Sequence, residues 1–183
     1  MSTATAEALF ATPRLDIIFL SPDQAAEADK AIAGAPGFYN TEFEGEGGEP
    51  APPPEGFVAD LLETPPPPNI SKAAVFPLGI REKGKPGYIG LSHLILGYPT
   101  ETTIFMGLLV FSEAFQKKGF GKELLTGIYD WTRPQGIGFA RVRVHPKHEG
   151  ARAFLDKMGF ADLPNKLSTG HLIYERRLPA VED

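Results

Sequence analysis

The chain has 183 residues, 42% of them hydrophobic and 22% charged, with a formal net charge of -5, which fits one globular domain with room for its own core. No window approaches the roughly 18 to 20 uninterrupted apolar residues of a membrane span, and the opening MSTATAEALFATPRL lacks the basic start and apolar run of a secretory signal, so a cytoplasmic protein with no membrane partner is expected. The absence of Cys removes disulfides, thiolate metal sites and cysteine nucleophiles, and the acidic balance argues against nucleic acid as a partner, because phosphate affinity comes from clustered Lys and Arg. No metal site is read from the remaining residues.

In chain order, a run of β-branched and aromatic residues predicts a strand at Leu15 to Leu20. Ser21 then serves as an N-cap before PDQAAEADKAI, with Asp23 where a helix start favours an acid. Residues 41–70 read as an irregular arm. Between Thr41 and Glu63 it carries Glu42, Glu44, Glu46, Glu49, Glu55, Asp60 and Glu63 and no Lys or Arg. The runs EPAPPPEG (Glu49 to Gly56) and TPPPPNI (Thr64 to Ile70) are stiff, extended connectors around a short amphipathic piece, Phe57 to Glu63. A solvated acidic loop is the plain reading of those charges.

Further strands are predicted at Lys72 to Ile80, Gly87 to Leu96, Thr103 to Phe111, Gly138 to His145 and Leu172 to Arg177. A helix from Gly119 to Trp131 aligns Phe120, Leu124, Ile128 and Trp131 in one stripe. A second, His148 to Met158, aligns Ala151, Phe154, Leu155 and Met158 at i, i+3, i+4, i+7. The alternation of strand and helix from Thr102 onward argues for an α/β fold with a crossover unit in a mixed sheet and helices on its faces. With no repeat and no second core pattern, residues 1–183 read as a single domain.

Between the Thr103 strand and the following helix stands Gln116-Lys117-Lys118-Gly119-Phe120-Gly121. Glycine lets the backbone bend so that successive N–H groups converge, a helix N-terminus adds partial positive charge, and Lys117, Lys118 and Lys122 supply countercharge, so the segment suits a phosphate. It is neither a Walker loop, which needs Gly at 116 and Ser or Thr at 123, nor a dinucleotide fingerprint, which needs Gly at 124.

The segment resembles the Q/R-x-x-G-x-G/A signature of the GCN5-related N-acetyltransferases (GNAT). Val144, Pro146, Ala151, Lys157, Gly159 and Phe160 are similar in register to that family's second motif, V-x-P-x-N-x-x-A-x-x-x-Y-x-K-x-GF, and HLIYERRL suits its final strand. The resemblance runs from Leu15 to Leu178 in element order, with residues 33–70 matching by position alone. It implies one mixed central sheet of about six or seven strands with helices on both faces and a cleft between two splayed parallel strands, with residues 102–160 as the acyl-CoA-binding core. It implies acetyl-CoA as cosubstrate, with backbone groups of Leu109, Val110 and Phe111 on the pantetheine and acetyl carbonyl, and Gln116, Lys117, Lys118, Gly119, Phe120, Gly121 and Lys122 on the pyrophosphate. A strand N–H at Val110 or its neighbour would meet the tetrahedral oxyanion.

The chain departs from the family pattern at two positions. Leu155 stands where the family usually carries a tyrosine acid, and Leu has no proton to give. His148 stands where a CoA-contacting asparagine is usual; it can still donate a hydrogen bond, or it can simply cap the helix. The Thr103 strand carries no acidic side chain, so the candidates for the base are Glu101, His93 and Tyr98. The expected activity is transfer of an acetyl group to a primary amine of a small molecule or peptide by direct attack. The alternative is an acyl-CoA-binding module with little turnover, for which the missing tyrosine speaks. The arm between the first strands forms one wall of the acceptor site in such proteins, and its acids favour a cationic acceptor. Acyl-chain preference has no motif here, and neither has the choice between monomer and homodimer.

Overall fold

The computed structural model, which describes residues 7–44 and 48–179, contains eight strands and five helices longer than one turn. In chain order these are β1 (Ala8–Ala11), β2 (Leu15–Phe19), α1 (Ala25–Ala33), α2 (Pro36–Glu42), α3 (Phe57–Glu63), β3 (Val75–Glu82), β4 (Gly90–Leu96), β5 (Thr103–Phe111), α4 (Phe120–Thr132), β6 (Phe139–Val144), α5 (Glu149–Lys157), β7 (Ala161–Asp162) and β8 (Leu172–Arg177). One open sheet holds all the strands in the order β1-β2-β3-β4-β5-β6-β8-β7. Every neighbouring pair is antiparallel except β5 and β6. Those two run parallel because α4 carries the chain back across the sheet between them, the connection a parallel pair requires.

Each face of the sheet has its own apolar core. On one, α4 supplies Leu124, Leu125, Ile128 and Tyr129 and α5 supplies Leu155, packed on Ile17, Ile80, Leu94, Met106, Val142 and Tyr174. On the other, Ala28, Ala31 and Ile32 of α1 and Val58 of α3 pack on Ile18, Leu91, Leu108 and Val110. The fully buried Leu, Ile and Val side chains among these stabilise the domain by about 1.5–3 kcal/mol each. The α/β reading therefore stands, with eight strands in place of six or seven. The two extra strands, β1 and β7, are four and two residues long, too short for alternation to declare them.

The arm is more ordered than its composition suggests. Thr41 and Glu42 end α2, which Pro36 opens at its first turn, and Phe57–Glu63 is α3. Proline is favourable at a helix start, where its missing N–H has no intrahelical partner to lose. Glu46 lies outside the described residues. Ser21 caps a single 3-10 turn, Pro22–Gln24, whose Gln24 side chain accepts from the Ser21 N–H at 3.1 Å, and α1 begins only at Ala25. No helix among the described residues is long and apolar enough to cross a membrane.

One irregularity in the sheet positions everything that follows. On β4, His93 pairs with Leu108 and Leu94 with Met106, which leaves Gly107 of β5 without an opposite residue. An extra residue in one strand reverses which face the later side chains meet. Ile104 and Met106 accordingly enter the α4/α5 core, whereas Leu108 and Val110 enter the α1/α3 core.

Candidate active site

At the bulge, the parallel pair parts. Strand β5 continues to Phe111 and β6 to Val144, but their ladder runs only from Thr103 opposite Phe139 to Met106 opposite Val142. Beyond Met106 the edge of β5 that faces β6 carries backbone groups with no strand to meet. Strand alternation identifies them. The Leu108 carbonyl accepts from Ser92 Oγ of β4 at 2.9 Å and the Ser112 N–H donates to the Ile89 carbonyl at 2.9 Å, so residues 108, 110 and 112 point toward β4. Leu109 and Phe111 therefore point into the gap. The Phe111 carbonyl there accepts from Gln116 Nε2 at 2.8 Å, which leaves the N–H groups of Leu109 and Phe111 and the carbonyl of Leu109 facing the opening. Of the two oxyanion donors expected from sequence, Val110 is turned toward β4 and its neighbour Leu109 faces the gap.

The end of β5 leads into the start of α4 through a left-handed bend. Lys117 has φ 60° and Gly119 φ 82°, values that favour glycine at the second position and are uncommon for lysine at the first. Gly119 is the N-cap of α4 and no side chain caps the helix. The first intrahelical bond is donated by the Glu123 N–H to the Gly119 carbonyl at 3.1 Å, so the N–H groups of Gly119, Phe120, Gly121 and Lys122 precede it and point outward at the positive end of a 13-residue helix. Lys117, Lys118 and Lys122 lie beside them, all three exposed. Gly121 has a packing reason as well: a Cβ there would lie 2.9 Å from Cζ of Phe154 on α5.

A clamp that sequence reading missed fixes this loop. Glu123, in the first turn of α4, accepts from Thr12 Oγ1 at 2.5 Å, from the Arg14 N–H at 2.9 Å and from Arg14 Nε at 2.8 Å. Arg14 also donates to the Lys118 carbonyl at 3.1 Å and lies over the Phe120 ring, 4.2 Å from its centroid. Burial pushes the Glu123 carboxyl up, but the hydrogen bonds from Thr12 and Arg14, with the Arg14 charge, outweigh it and hold the group below the usual carboxylate range. The signal available in sequence was an Arg and an acid more than a hundred residues apart, which no local pattern connects.

The three candidates for the base do not come together. Tyr98 and Glu101 lie in the turn between β4 and β5, where the Tyr98 ring meets Phe105 edge-on at 5.4 Å. Thr103, just beyond that turn, is six residues from Leu109, roughly 20 Å along an extended strand, so both side chains belong to the far end of β5 from the gap. His93 alone is at the bulge. A Cβ on Gly107 would sit 3.8 Å from His93 Nδ1, and His93 Nε2 is buried without a hydrogen-bond partner. Burial first, and then the Arg143 charge, lower its pKa below the ordinary histidine value, so at neutral pH the ring is uncharged and able to accept a proton. His148 is the N-cap of α5, with Nδ1 accepting from the Ala151 N–H at 3.3 Å, and burial lowers its pKa. Leu155 is 2% exposed within the α4/α5 core and brings no proton donor.

Two acids of the arm are already engaged. Glu42 on α2 bonds His171 Nε2 at 2.9 Å, and Glu44 bonds Lys147 Nζ at 2.8 Å, so neither stands as a free negative wall. His145 packs edge-on to His171 at 5.4 Å in the same place. A cavity of about 680 Å³ lies wholly within the arm, lined by residues such as Phe43, Pro53, Phe57 and Leu61. It includes no residue of β5, β6 or the 116–122 loop and is separate from the gap.

Comparison with known proteins agrees with this geometry. A family model described as the acetyltransferase (GNAT) family matches residues 37–160. No curated protein matches the chain in sequence. Among solved structures, an acetyltransferase from Thermus thermophilus superposes with a TM-score of 0.69 at 21% identity, covering 91% of this chain and 99% of that one. The PaiA N-acetyltransferase from Thermoplasma acidophilum, in complex with coenzyme A, gives 0.64 at 16% identity over 90% and 99% of the two chains. The microcin C7 self-immunity acetyltransferase MccE, in complex with acetyl-CoA and AMP, gives 0.65 at 14% over 95% and 98%. At these identities the likeness is one of fold.

Proposed function

The chain belongs to the GNAT acetyltransferase family and is by that membership an acyltransferase; from this premise we propose that it transfers an acetyl group from acetyl-CoA to a primary amine by direct attack, with residues 102–160 as the acyl-CoA-binding core of a single domain. The observation that carries the proposal is the parting of β5 from β6 beyond Met106, above a loop whose amides have no intrahelical partner. Fold likeness to proteins captured with coenzyme A and acetyl-CoA supports it.

In this reading the backbone groups of Leu109 and Phe111 pair with the amides of the pantetheine arm, as a missing strand would. The N–H groups of Gly119 to Lys122 receive the pyrophosphate, with Lys117, Lys118 and Lys122 as countercharge. Gln116 contributes by tying the loop to Phe111. His148, fixed at the head of α5, is the remaining side chain that this reading assigns to the cofactor. The Leu109 N–H stabilises the negative charge that develops on the acetyl oxygen. His93 takes the proton of the attacking amine, directly or through one water, as its C–N bond forms and the C–S bond breaks. The departing thiolate then takes up one proton. A free thiol titrates near 8.5, so this last step proceeds at neutral pH with solvent or the proton held on His93, which accounts for function with Leu155 at the position of the usual acid.

The test has two arms. Saturating acetyl-CoA should raise the melting temperature by several degrees, since a hundredfold excess over Kd adds about 2.7 kcal/mol. An amine panel with thiol release as readout should then show acceptor-dependent turnover. A melting curve unmoved by acetyl-CoA contradicts the proposal; a shift with no turnover of any amine favours the binding-module alternative.

A further inference from the structure

The bulge that opens the gap also leaves two polar side chains, His93 and Arg143, on the same face of the sheet. His93 shares its face with Leu108, its partner across the ladder, and so lies on the α1/α3 side of the sheet. On β6 the alternate residues Ala140, Val142 and Val144 enter the α4/α5 core, which turns Arg141 and Arg143 to the same α1/α3 side as His93. Val142 is the last β6 residue paired with β5, opposite Met106, so Arg143 stands level with Gly107. Gly107 has no side chain, and His93 Nδ1 lies 3.8 Å from where its Cβ would be, on the face that Arg143 shares across the parted ladder. The Arg143 charge is close enough to be felt at His93.

The two arginines differ in their partners. Arg141 donates from Nε to Glu175 of β8 at 2.5 Å. Arg143 is half-buried and, among the described residues, makes no ion pair and no side-chain hydrogen bond. Unpaired and still in contact with solvent, its five N–H groups are open to a ligand. Its fork matches a planar anion.

Building on the acetyl transfer proposed above, we propose that Arg143 binds a carboxylate of the acceptor, so that the preferred substrate is a small amino acid whose amine and carboxylate span the space over Gly107 between His93 and Arg143. A carboxylate fits better than a phosphate. One unpaired guanidinium balances one negative charge, and among the described residues no second free cation stands beside it for a dianion: Arg141 is already paired with Glu175. Glu42 and Glu175 are already bonded to His171 and Arg141, so the cationic amine expected from sequence gains an anionic anchor in place of an acidic wall.

The experiment compares L-alanine, L-phenylalanine, L-serine and β-alanine with their carboxamides and their decarboxylated amines. The ammonium groups of the amides are more acidic, and those of the simple amines less acidic, than those of the amino acids, so amine basicity cannot imitate a carboxylate preference. With acetyl-CoA, the wild type should show a KM for at least one amino acid about ten- to hundredfold below that of both analogues, the range one charge-assisted hydrogen-bonded pair supplies. Arg143→Gln should collapse that ratio to near one, and Arg143→Lys should restore it in part. In a second readout independent of turnover, the amino acid should raise the melting temperature of the wild type with CoA present, and should not do so for Arg143→Gln. Equal KM values for acids and analogues, an equal loss for both in Arg143→Gln, or no stabilisation of the CoA-bound wild type by any of the four amino acids overturns the assignment. The acetyl-CoA melting shift of the wild type is the separate control: its loss refutes the acetyltransferase reading itself.

Discussion

The two sides of the bulge are built in different ways. On the side proposed for the cofactor, the gap edge and the loop before α4 are backbone, drawn from one continuous stretch between Gly107 and Lys122, and they need particular φ values and free amides more than particular side chains. On the side proposed for the acceptor, the groups are side chains from different strands, His93 of β4 and Arg143 of β6, 50 residues apart in sequence. A backbone device can be reused unchanged for one constant cosubstrate. A side-chain device can be altered residue by residue, which is what a family with many acceptors requires. Variants should therefore separate the two sides cleanly: cofactor-side changes alter acetyl-CoA binding, and acceptor-side changes alter rate and choice of amine.

The largest effect is expected at His93. His93→Gln should lower kcat by about 10² to 10⁴, the usual contribution of a positioned base, with the acetyl-CoA melting shift retained. Because burial and Arg143 lower the His93 pKa, the neutral form persists below the ordinary value of 6.5, and the acid limb of kcat/KM should fall with its midpoint under that value. A kcat within threefold of wild type returns His93 to a packing role.

Next comes Gly121→Val, which should abolish the acetyl-CoA shift. Since a Cβ at this position already meets the Phe154 ring at 2.9 Å, the variant should also lose about 1–3 kcal/mol of stability as α5 gives way, measured by urea denaturation of the apo protein. A normal acetyl-CoA shift in a folded Gly121→Val protein would remove the loop from the binding site.

Glu123→Gln tests the clamp beneath the loop. Losing charge-assisted hydrogen bonds from Thr12 and Arg14 should cost about 2 kcal/mol at neutral pH and weaken acetyl-CoA binding through the loosened loop. The folded Glu123 carboxyl is held below its ordinary value, so its stabilisation is complete above that value and is lost as pH falls through the folded one. The deficit of the variant should shrink below about pH 4. A deficit constant from pH 7 to pH 3 would mean that shape, not charge, holds the loop.

The smallest effect is expected in the arm. Glu44→Gln breaks an exposed ion pair with Lys147, and pairs of this kind contribute little. Melting temperature and the KM of a cationic amine should both remain within error at low salt. A clear rise in KM would show that the acids of the arm attract the acceptor directly, against the account in which they are already paired.

The same division explains how much of the molecule was legible in sequence. Strands β2 to β6 and β8 and helices α4 and α5 announce themselves through the period of their apolar residues, because each buries one face against a core. The bend from Gln116 to Gly121 into α4 was legible because its glycines lie close together in sequence. The bulge was not: Gly107 reads as one glycine in an apolar run, and only the pairing of β4 with β5 shows that it shifts the register. Without that shift, Leu108 and Val110 fall on the wrong face and Arg143 has no relation to His93. Tyr98 and Glu101 looked suitable because they stand close to β5 in sequence, yet nearness to the start of a strand is distance from its end. Glu42 and Glu44 read as free charge because their partners, His171 and Lys147, lie more than a hundred residues away.

The central claim is that the parted edge of β5 and the first turn of α4 receive acetyl-CoA, and residue-resolved amide hydrogen exchange with and without acetyl-CoA tests it most directly. The account predicts strong new protection at the N–H groups of Leu109, Phe111, Gly119, Phe120, Gly121 and Lys122, and little change around the arm cavity at Phe57 and Leu61. Protection confined to the arm, with those six amides exchanging as in the free protein, would contradict it.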